Sequence, residues 1–301
     1  MLSRLSLFVC ALALAACSST DDAVLPDVSG LAVAESSASV SETVSRLASA
    51  LEAADPVGIV AEVDHAANAE GAGGLRATRV VLFGNPTLGT PLMQTNPLAG
   101  IDLPQKMLVF EDGEGRTVVG YNSTDYLAQR HGLEGVAALG QIGGALEMFA
   151  RTAVGDGGVV LEVGTGSVGR GAGIETVLSV DGVEVTYGRL RDAIEGNPNL
   201  TVVAELNHQA NAARVGLELP PIRLIVFGNP ALGTPLMRVS QTTGIDLPQK
   251  MLVYRDLDGE TRVAYNDPAY LARRHRLGTP PQIATIRQAL ESLAAAATAD
   301  G

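Results

Sequence analysis

The strongest constraint in this sequence is that most of it is written twice. Residues 83–109 return as 227–253 at an offset of 144, and 20 of the 28 positions from Phe83 to Phe110 are identical in the second copy. The match continues outward: Tyr121-Asn122 meets Tyr265-Asn266, and Arg130-His131 meets Arg274-His275. Upstream, His65 meets His208 and Arg46 meets Arg189 at an offset of 143. A period this long denotes duplicated domains, because solenoid units run only ~20 to 50 residues. The division that follows is a signal peptide at 1–16, a polar tether at 17–28, a first repeat at 29–151, a Gly-rich linker at 152–172 and a second repeat at 173–297.

Each repeat reads as mixed helix and strand. Val44, Leu47 and Leu51, and their counterparts Tyr187, Leu190 and Ile194, are spaced three and four apart, as one helical face requires. Strands are expected at 58–63 and 201–206. The short, continuously apolar runs 80–83 and 107–110 suit strands covered on both faces. Residues 112–115 and 256–259 read as hairpin turns. Thr90-Pro91 and Thr234-Pro235 look like helix starts, as does Asp267-Pro268. A closing amphipathic helix is expected around Leu139, Ile142, Leu146 and Phe149, and again around Ile283, Ile286, Leu290 and Leu293. The fold class is therefore α+β: two homologous sandwich-like domains, each a mixed sheet covered by helices.

The first residues read as an address. A short basic start, an apolar run at 5–13 too short to span a bilayer, and Leu14-Ala15-Ala16-Cys17 resemble a bacterial lipoprotein signal, with Cys17 as the lipidation site. Palmitate or a similar acyl chain would anchor the chain to a membrane. Ser18 after the cysteine points to the periplasmic face of the outer membrane. The other cysteine, Cys10, lies within the signal, so the body of the chain can form neither a disulfide nor a thiolate metal site.

Composition narrows function mainly by exclusion. A net charge of −12 argues against nucleic acid, which needs a positive field. Residues 159–169 have the spacing of a dinucleotide-binding glycine loop, but the glycine-rich residues 170–173 are poor helix material, so no cofactor is expected. No metal site is expected either. His65 follows Asp64, whereas His208 follows Asn207, and neighbours on a strand face opposite ways. No nucleophile elbow occurs.

The motifs resemble a known family. The segment 63–69, the run Phe83-Gly84-Asn85-Pro86 with Gly89-Thr90-Pro91-Leu92-Met93, the run Ile101-Asp102-Leu103-Pro104 with Lys106, then Tyr121-Asn122 and Arg130-His131, resemble the bacterial domain of unknown function 302 family. The resemblance covers nearly all of both copies. It implies a compact α+β domain that pairs with another copy in some members, hence an intramolecular pseudo-dimer here. It implies no activity, substrate or cofactor.

Comparison of the two copies selects candidate site residues. Only Lys106 and Lys250 among 21 basic residues are lysines, and they match each other. The four histidines also form matched pairs. His65, Asn85, Lys106, Tyr121 and His131, with His208, Asn229, Lys250, Tyr265 and His275, are therefore the candidates for a ligand-binding pocket, with none assigned as catalytic. Imidazole could exchange protons, and lysine or the amides after Thr90 could hold an anion. Two readings follow. One is an envelope lipoprotein that binds a small anionic molecule or a protein partner; the other is an enzyme using histidine and lysine as acid and base.

Overall fold

A computed structural model describes residues 27–156, 160–164 and 166–299. The signal peptide, Cys17 and most of the tether lie outside the described residues. The first repeat runs β1 (Leu31–Ser36), α1 (Val40–Glu52), β2 (Gly58–Asp64), α2 (His65–Asn68), β3 (Thr78–Gly84), α3 (Pro86–Thr95), β4 (Gln105–Glu111), β5 (Thr117–Asn122), α4 (Thr124–His131) and α5 (Ala138–Val154). A strand β6 (Val160–Val163) follows. The second repeat runs β7 (Ile174–Ser179), α6 (Val183–Glu195), β8 (Thr201–Asn207), α7 (His208–Arg214), β9 (Ile222–Gly228), α8 (Pro230–Val239), β10 (Gln249–Arg255), β11 (Thr261–Asn266), α9 (Pro268–Arg274) and α10 (Gln282–Thr298).

The sheets have the orders β2-β3-β4-β5-β1-β6 and β7-β11-β10-β9-β8. The α+β class stands, but among the described residues every pairing is antiparallel and the expected mixed sheet is not formed. The physical reason lies in the crossovers, none of which joins neighbouring strands; α4 and α5, for one, carry the chain from β5 past β1 to β6. Helix α1 joins β1 and β2, which point the same way but stand three strands apart, so no parallel pair arises. The Gly-rich stretch is also more than a linker: β6 pairs with β1 from Leu31↔Val163 to Ala34↔Val160. Beyond Gly164 the described chain goes through loop and turn into β7, with no helix at the third glycine of the loop motif.

Most local expectations hold for identifiable reasons. The stripe Val44, Leu47, Leu51 is buried on α1, and Ile142, Leu146 and Phe149 are buried on α5. Asp267 caps α9 from its side chain to Ala269 N and Tyr270 N. The helix start expected at Thr90-Pro91 is wrong. Helix α3 begins at Pro86, where Asn85 Oδ1 accepts from Thr87 N and the ring occupies the first helical position. Asn229 and Pro230 do the same for α8. Asn-Pro supplies both start signals five residues earlier, and Pro91 and Pro235 lie inside the helices.

Helices cover one face of each sheet, and the other repeat covers the second. Alternation along β9 and β10 makes this plain. Ile225, Phe227, Met251 and Val253 belong to the core shared with α6 and α10. Ile222, Leu224, Val226, Leu252 and Tyr254 belong to a core continuous with the first repeat. Strand neighbours face opposite sides, so runs apolar throughout are runs buried twice. The turns at Pro97–Asp102 and Gln241–Ile245 each lie on the opposite sheet. Close approach there requires glycine: a Cβ on Gly244 would stand 2.8 Å from Leu108 Cδ1.

Leu252 and Val253 are both wholly buried, on opposite faces of β10. Leu252→Asp should therefore destabilise the whole chain as severely as Val253→Asp, by ~3 kcal/mol or more, because either buries a charge without a partner. Urea denaturation checks this. A cost confined to Val253→Asp would mean that the repeats are only tethered.

Candidate functional site

The candidate residues fall into three groups in space. The first is a buried network where the repeats meet. Asp102, at the end of the Pro97–Asp102 turn, accepts from Arg130 Nη1 at 2.6 Å and from His131 Nε2 at 2.8 Å, both through Oδ2. Lys250 of the other repeat reaches Oδ1 at 3.4 Å. The second repeat reproduces the arrangement: Arg274 Nη1 and His275 Nε2 meet Asp246 Oδ2 at 2.7 and 2.8 Å. Lys106 Nζ donates to the Ile245 carbonyl across the interface. Each arginine also crosses over, Arg130 Nη2 to Asn266 Oδ1 at 2.8 Å and Arg274 Nη2 to Asn122 Oδ1 at 2.7 Å. Tyr126 and Tyr270, equivalent residues, meet hydroxyl to hydroxyl at 3.4 Å. Such reciprocity is the mark of a twofold interface.

Charge balance explains the titration of this network. Burial alone would raise Asp102, but Arg130, Lys250 and His131 outweigh it and hold the carboxyl well below the usual range; Asp246 is held down likewise by Arg274, His275 and Lys106. Two arginines neutralise two aspartates, so the lysines are surplus. Burial first, and then the Lys250 ammonium beside it, push Lys106 well below the ordinary lysine range. A compact amine can shed its proton where a guanidinium cannot, which is a physical reason for lysine at position 106. The copies differ at one contact. Nδ1 of His275 meets Thr242 Oγ1 at 2.9 Å, whereas Nδ1 of His131 has no partner, because Leu98 stands where Thr242 would.

The second group is Tyr121 and Tyr265, buried in the cores of β5 and β11. The third lines two cavities. One, of about 380 Å³, is walled by β2, β3, α3 and α5 of the first repeat and includes Asn85; its far wall is His208 with Leu206, Asn211 and Arg214 of the second repeat. The other, of about 150 Å³, is walled by the equivalent elements of the second repeat and includes Asn229; Val63, His65 and Asn68 of the first repeat complete it. Bulges at β2 between Ile59 and Ala61, and at β8 between Val202 and Ala204, set Val60 and Val203 on the rims.

His65 and His208 are therefore exchanged between repeats, and the two lysines line neither cavity. The anion-holding role expected of Lys106 and Lys250 loses its basis, since both are engaged in the network. The convergence of His65, Lys106, Tyr121 and His131 on one pocket is not formed either. Gly244 and Ile245 carry the neighbouring contacts of His65 and Lys106, but only His65 borders a cavity. Burial lowers His65 and His208 to about 4, so both rings are neutral near pH 7. The Asp64 and Asn207 difference has a simple account: each caps its short helix, accepting at 2.9 Å from Ala67 N and Ala210 N. Thr90 and Gln105, which sequence reasoning passed over as site residues, border the larger cavity with unpartnered buried atoms. Their signal was present, since both lie in motifs repeated in the second copy. Among the described residues no cluster of three or more His, Cys, Asp or Glu could hold a metal ion.

Two α+β repeats, joined by a buried polar seam and each holding a cavity closed by the other, define a tandem pseudo-dimer. The chain belongs to the family described as domain of unknown function DUF302, whose model matches residues 32–149 and 175–297. It is 43% identical over 113 residues to the fluoride-specific ion channel FluC 1 of Brucella suis, covering 38% of this chain and 44% of that protein. The FluC 1 of Brucella abortus matches at 43% identity over 38% of this chain and 42% of its own. The chain thus spans less than half the length of these curated relatives. A solved structure of an uncharacterised conserved DUF302 protein from Bacillus stearothermophilus is similar at 21% identity and TM-score 0.35, covering 42% of this chain and 95% of that one. No helix among the described residues is long and apolar enough to cross a membrane.

Two predictions follow from the electrostatics. The unfolded histidines take a proton near pH 6.5 while His65 and His208 resist it down to about 4. Stability is therefore full above pH 6.5 and should fall as pH drops from 6.5 to 4, by up to ~3 kcal/mol per histidine. Urea midpoints across that range check it, and His65→Phe with His208→Phe should flatten the slope. In the network, Asp102→Ala strands Arg130, His131 and Lys250 and should cost ~3 to 5 kcal/mol, whereas Lys106→Met should be near neutral. Calorimetric melting of both variants distinguishes them.

Proposed function

We propose that this chain is a non-catalytic binding protein of the cell envelope whose two inter-repeat cavities receive a small, largely apolar molecule. The observation that carries the reading is that each cavity is walled by one repeat and closed by a histidine of the other. Concave apolar sites with a few placed polar groups are the usual form of a small-molecule site. The enzyme reading has less support, because the histidines and lysines do not share a cavity and no nucleophile accompanies them. The envelope location rests on the signal and the Leu14-Ala15-Ala16-Cys17 motif. A lipid on Cys17 would tether the pseudo-dimer to the periplasmic face of the outer membrane.

Titration with N-phenyl-1-naphthylamine, an uncharged apolar fluorophore, tests the binding reading. Its emission should rise with the native chain. Ala145→Leu, which fills the larger cavity from α5, should weaken binding about tenfold or more while the fold is retained. Equal binding by both proteins would refute a cavity site. Fluoride, the ion in the names of the Brucella relatives, serves as the anionic comparison, and a melting shift with fluoride alone would favour an anion instead. Anchoring is checked separately: Cys17→Ser should abolish incorporation of labelled palmitate and release the chain from the membrane fraction.

A further inference from the structure

Three side chains bordering the larger cavity are more than nine-tenths buried and keep one polar atom each without a partner. They are Nε2 of His208, Oγ1 of Thr90 and Nε2 of Gln105. Buried polar atoms in folded proteins are nearly always paired, so three around a single void call for an occupant that supplies the missing bonds. Around the smaller cavity, of the equivalent atoms only Nε2 of His65 is both buried and unpartnered. The walls differ in the same sense. At Gly58 a Cβ would meet nothing within 4 Å, and the equivalent wall residue of the smaller cavity is Thr201.

The bonds on offer follow from the chemistry of each group. The Gly100 backbone lies beside the His208 ring in a contact that favours the protonated form, as a carbonyl facing a ring N–H does. Nε2 has no partner among the described residues, and a neutral imidazole whose proton sits on Nδ1, toward that backbone, presents Nε2 as an acceptor. The Gln105 amide nitrogen only donates, and the Thr90 hydroxyl does both. A carboxylate has no proton for His208. An ammonium has no lone pair for Gln105. A hydroxyl group supplies both.

We propose that the larger cavity is a site for an uncharged, apolar molecule bearing a hydroxyl, whose O–H donates to Nε2 of His208 while its oxygen accepts from Gln105 or Thr90. This rests on the reading of the cavities as small-molecule sites and specifies the ligand of one of them. An apolar void of ~150 Å³ holds a benzene ring, so a void of about 380 Å³ has room for a fused bicyclic body. Because His208 is lent by the second repeat, the ligand bridges the two repeats, and the smaller cavity is not expected to take it.

The experiment compares 2-naphthol with 2-methoxynaphthalene, which has the same ring but no donor, by isothermal titration of the full chain. One site is expected, with 2-naphthol bound about tenfold or more tightly than the methyl ether. His208→Phe should remove that preference and leave the ether within about twofold; if this variant does not fold, Gln105→Met should reduce the preference in the same direction. Equal binding of the two compounds by the native chain would overturn the hydroxyl assignment while leaving the apolar cavity as a site. Tighter binding of 2-naphthoate than of 2-naphthol would overturn it in favour of an anion. Failure of all three, together with failure of N-phenyl-1-naphthylamine, would overturn the cavity reading itself.

Discussion

Each sheet of this protein is apolar on both faces, and its own helices can cover only one. Leu224, Val226 and Leu252 would face water if the second repeat stood alone, and so would Val80, Leu82 and Leu108 if the first did. Burying those faces against each other is non-directional and favourable. It also dictates the rest of the architecture. Strand residues on the inner faces must be apolar, the Pro97–Asp102 and Gln241–Ile245 turns must lie flat on the opposite sheet, and a glycine must sit where Gly244 passes Leu108. The polar backbone of those turns is carried into the interior with them, and it needs partners there.

The charged seam meets part of that need, Lys106 donating to the Ile245 carbonyl of one turn, and it satisfies other buried acceptors besides. Arg130 and Arg274 donate to an asparagine of the opposite repeat, to carbonyls outside their own repeat and to an aspartate of their own, so one guanidinium satisfies several buried acceptors at once. A buried ion pair adds little net stability over an apolar pair of similar volume. Its value here is register. Apolar faces could slide over one another, but Arg130 can reach Asp102, Asn266 and the Ala172 carbonyl together in only one docking of the repeats. Specificity of docking, more than its strength, is what the seam supplies.

The duplication, the fold class and most helix faces were legible because they are periodic, and periodicity is local. Even the second buried face was readable from runs such as 80–83, which do not alternate as a half-exposed strand would. What sequence could not provide was the partner of each polar residue. His65, Lys106 and His131 lie in one repeat, yet His65 completes a cavity of the other repeat and Lys106 bonds to Ile245. Pairing within a copy is the natural assumption for matched residues, and in an exchanged interface it fails. Strands β1 and β7 were missed for a different reason: they follow directly on the tether and the Gly-rich linker, whose composition overshadows their signal. The helix start at Asn85 was a competition between two Pro signals, decided by the side chain that could cap.

Fusing two copies in one chain also changes what the cavities can become. In a homodimer both cavities would be identical by symmetry, and a wall mutation would alter both. In a tandem chain each wall varies alone, and the two have diverged: Gly58 of the larger cavity corresponds to Thr201 of the smaller, and the volumes are about 380 and 150 Å³. The exchanged histidines have not diverged, and each is held neutral near pH 7 by burial beside the equivalent glycine, Gly244 or Gly100. A residue that only filled space would be as free to change as the wall around it. Retention of the closing groups beside divergence of the walls is what the proposed small-molecule role requires, one polar recognition element kept while the two cavities separate in shape.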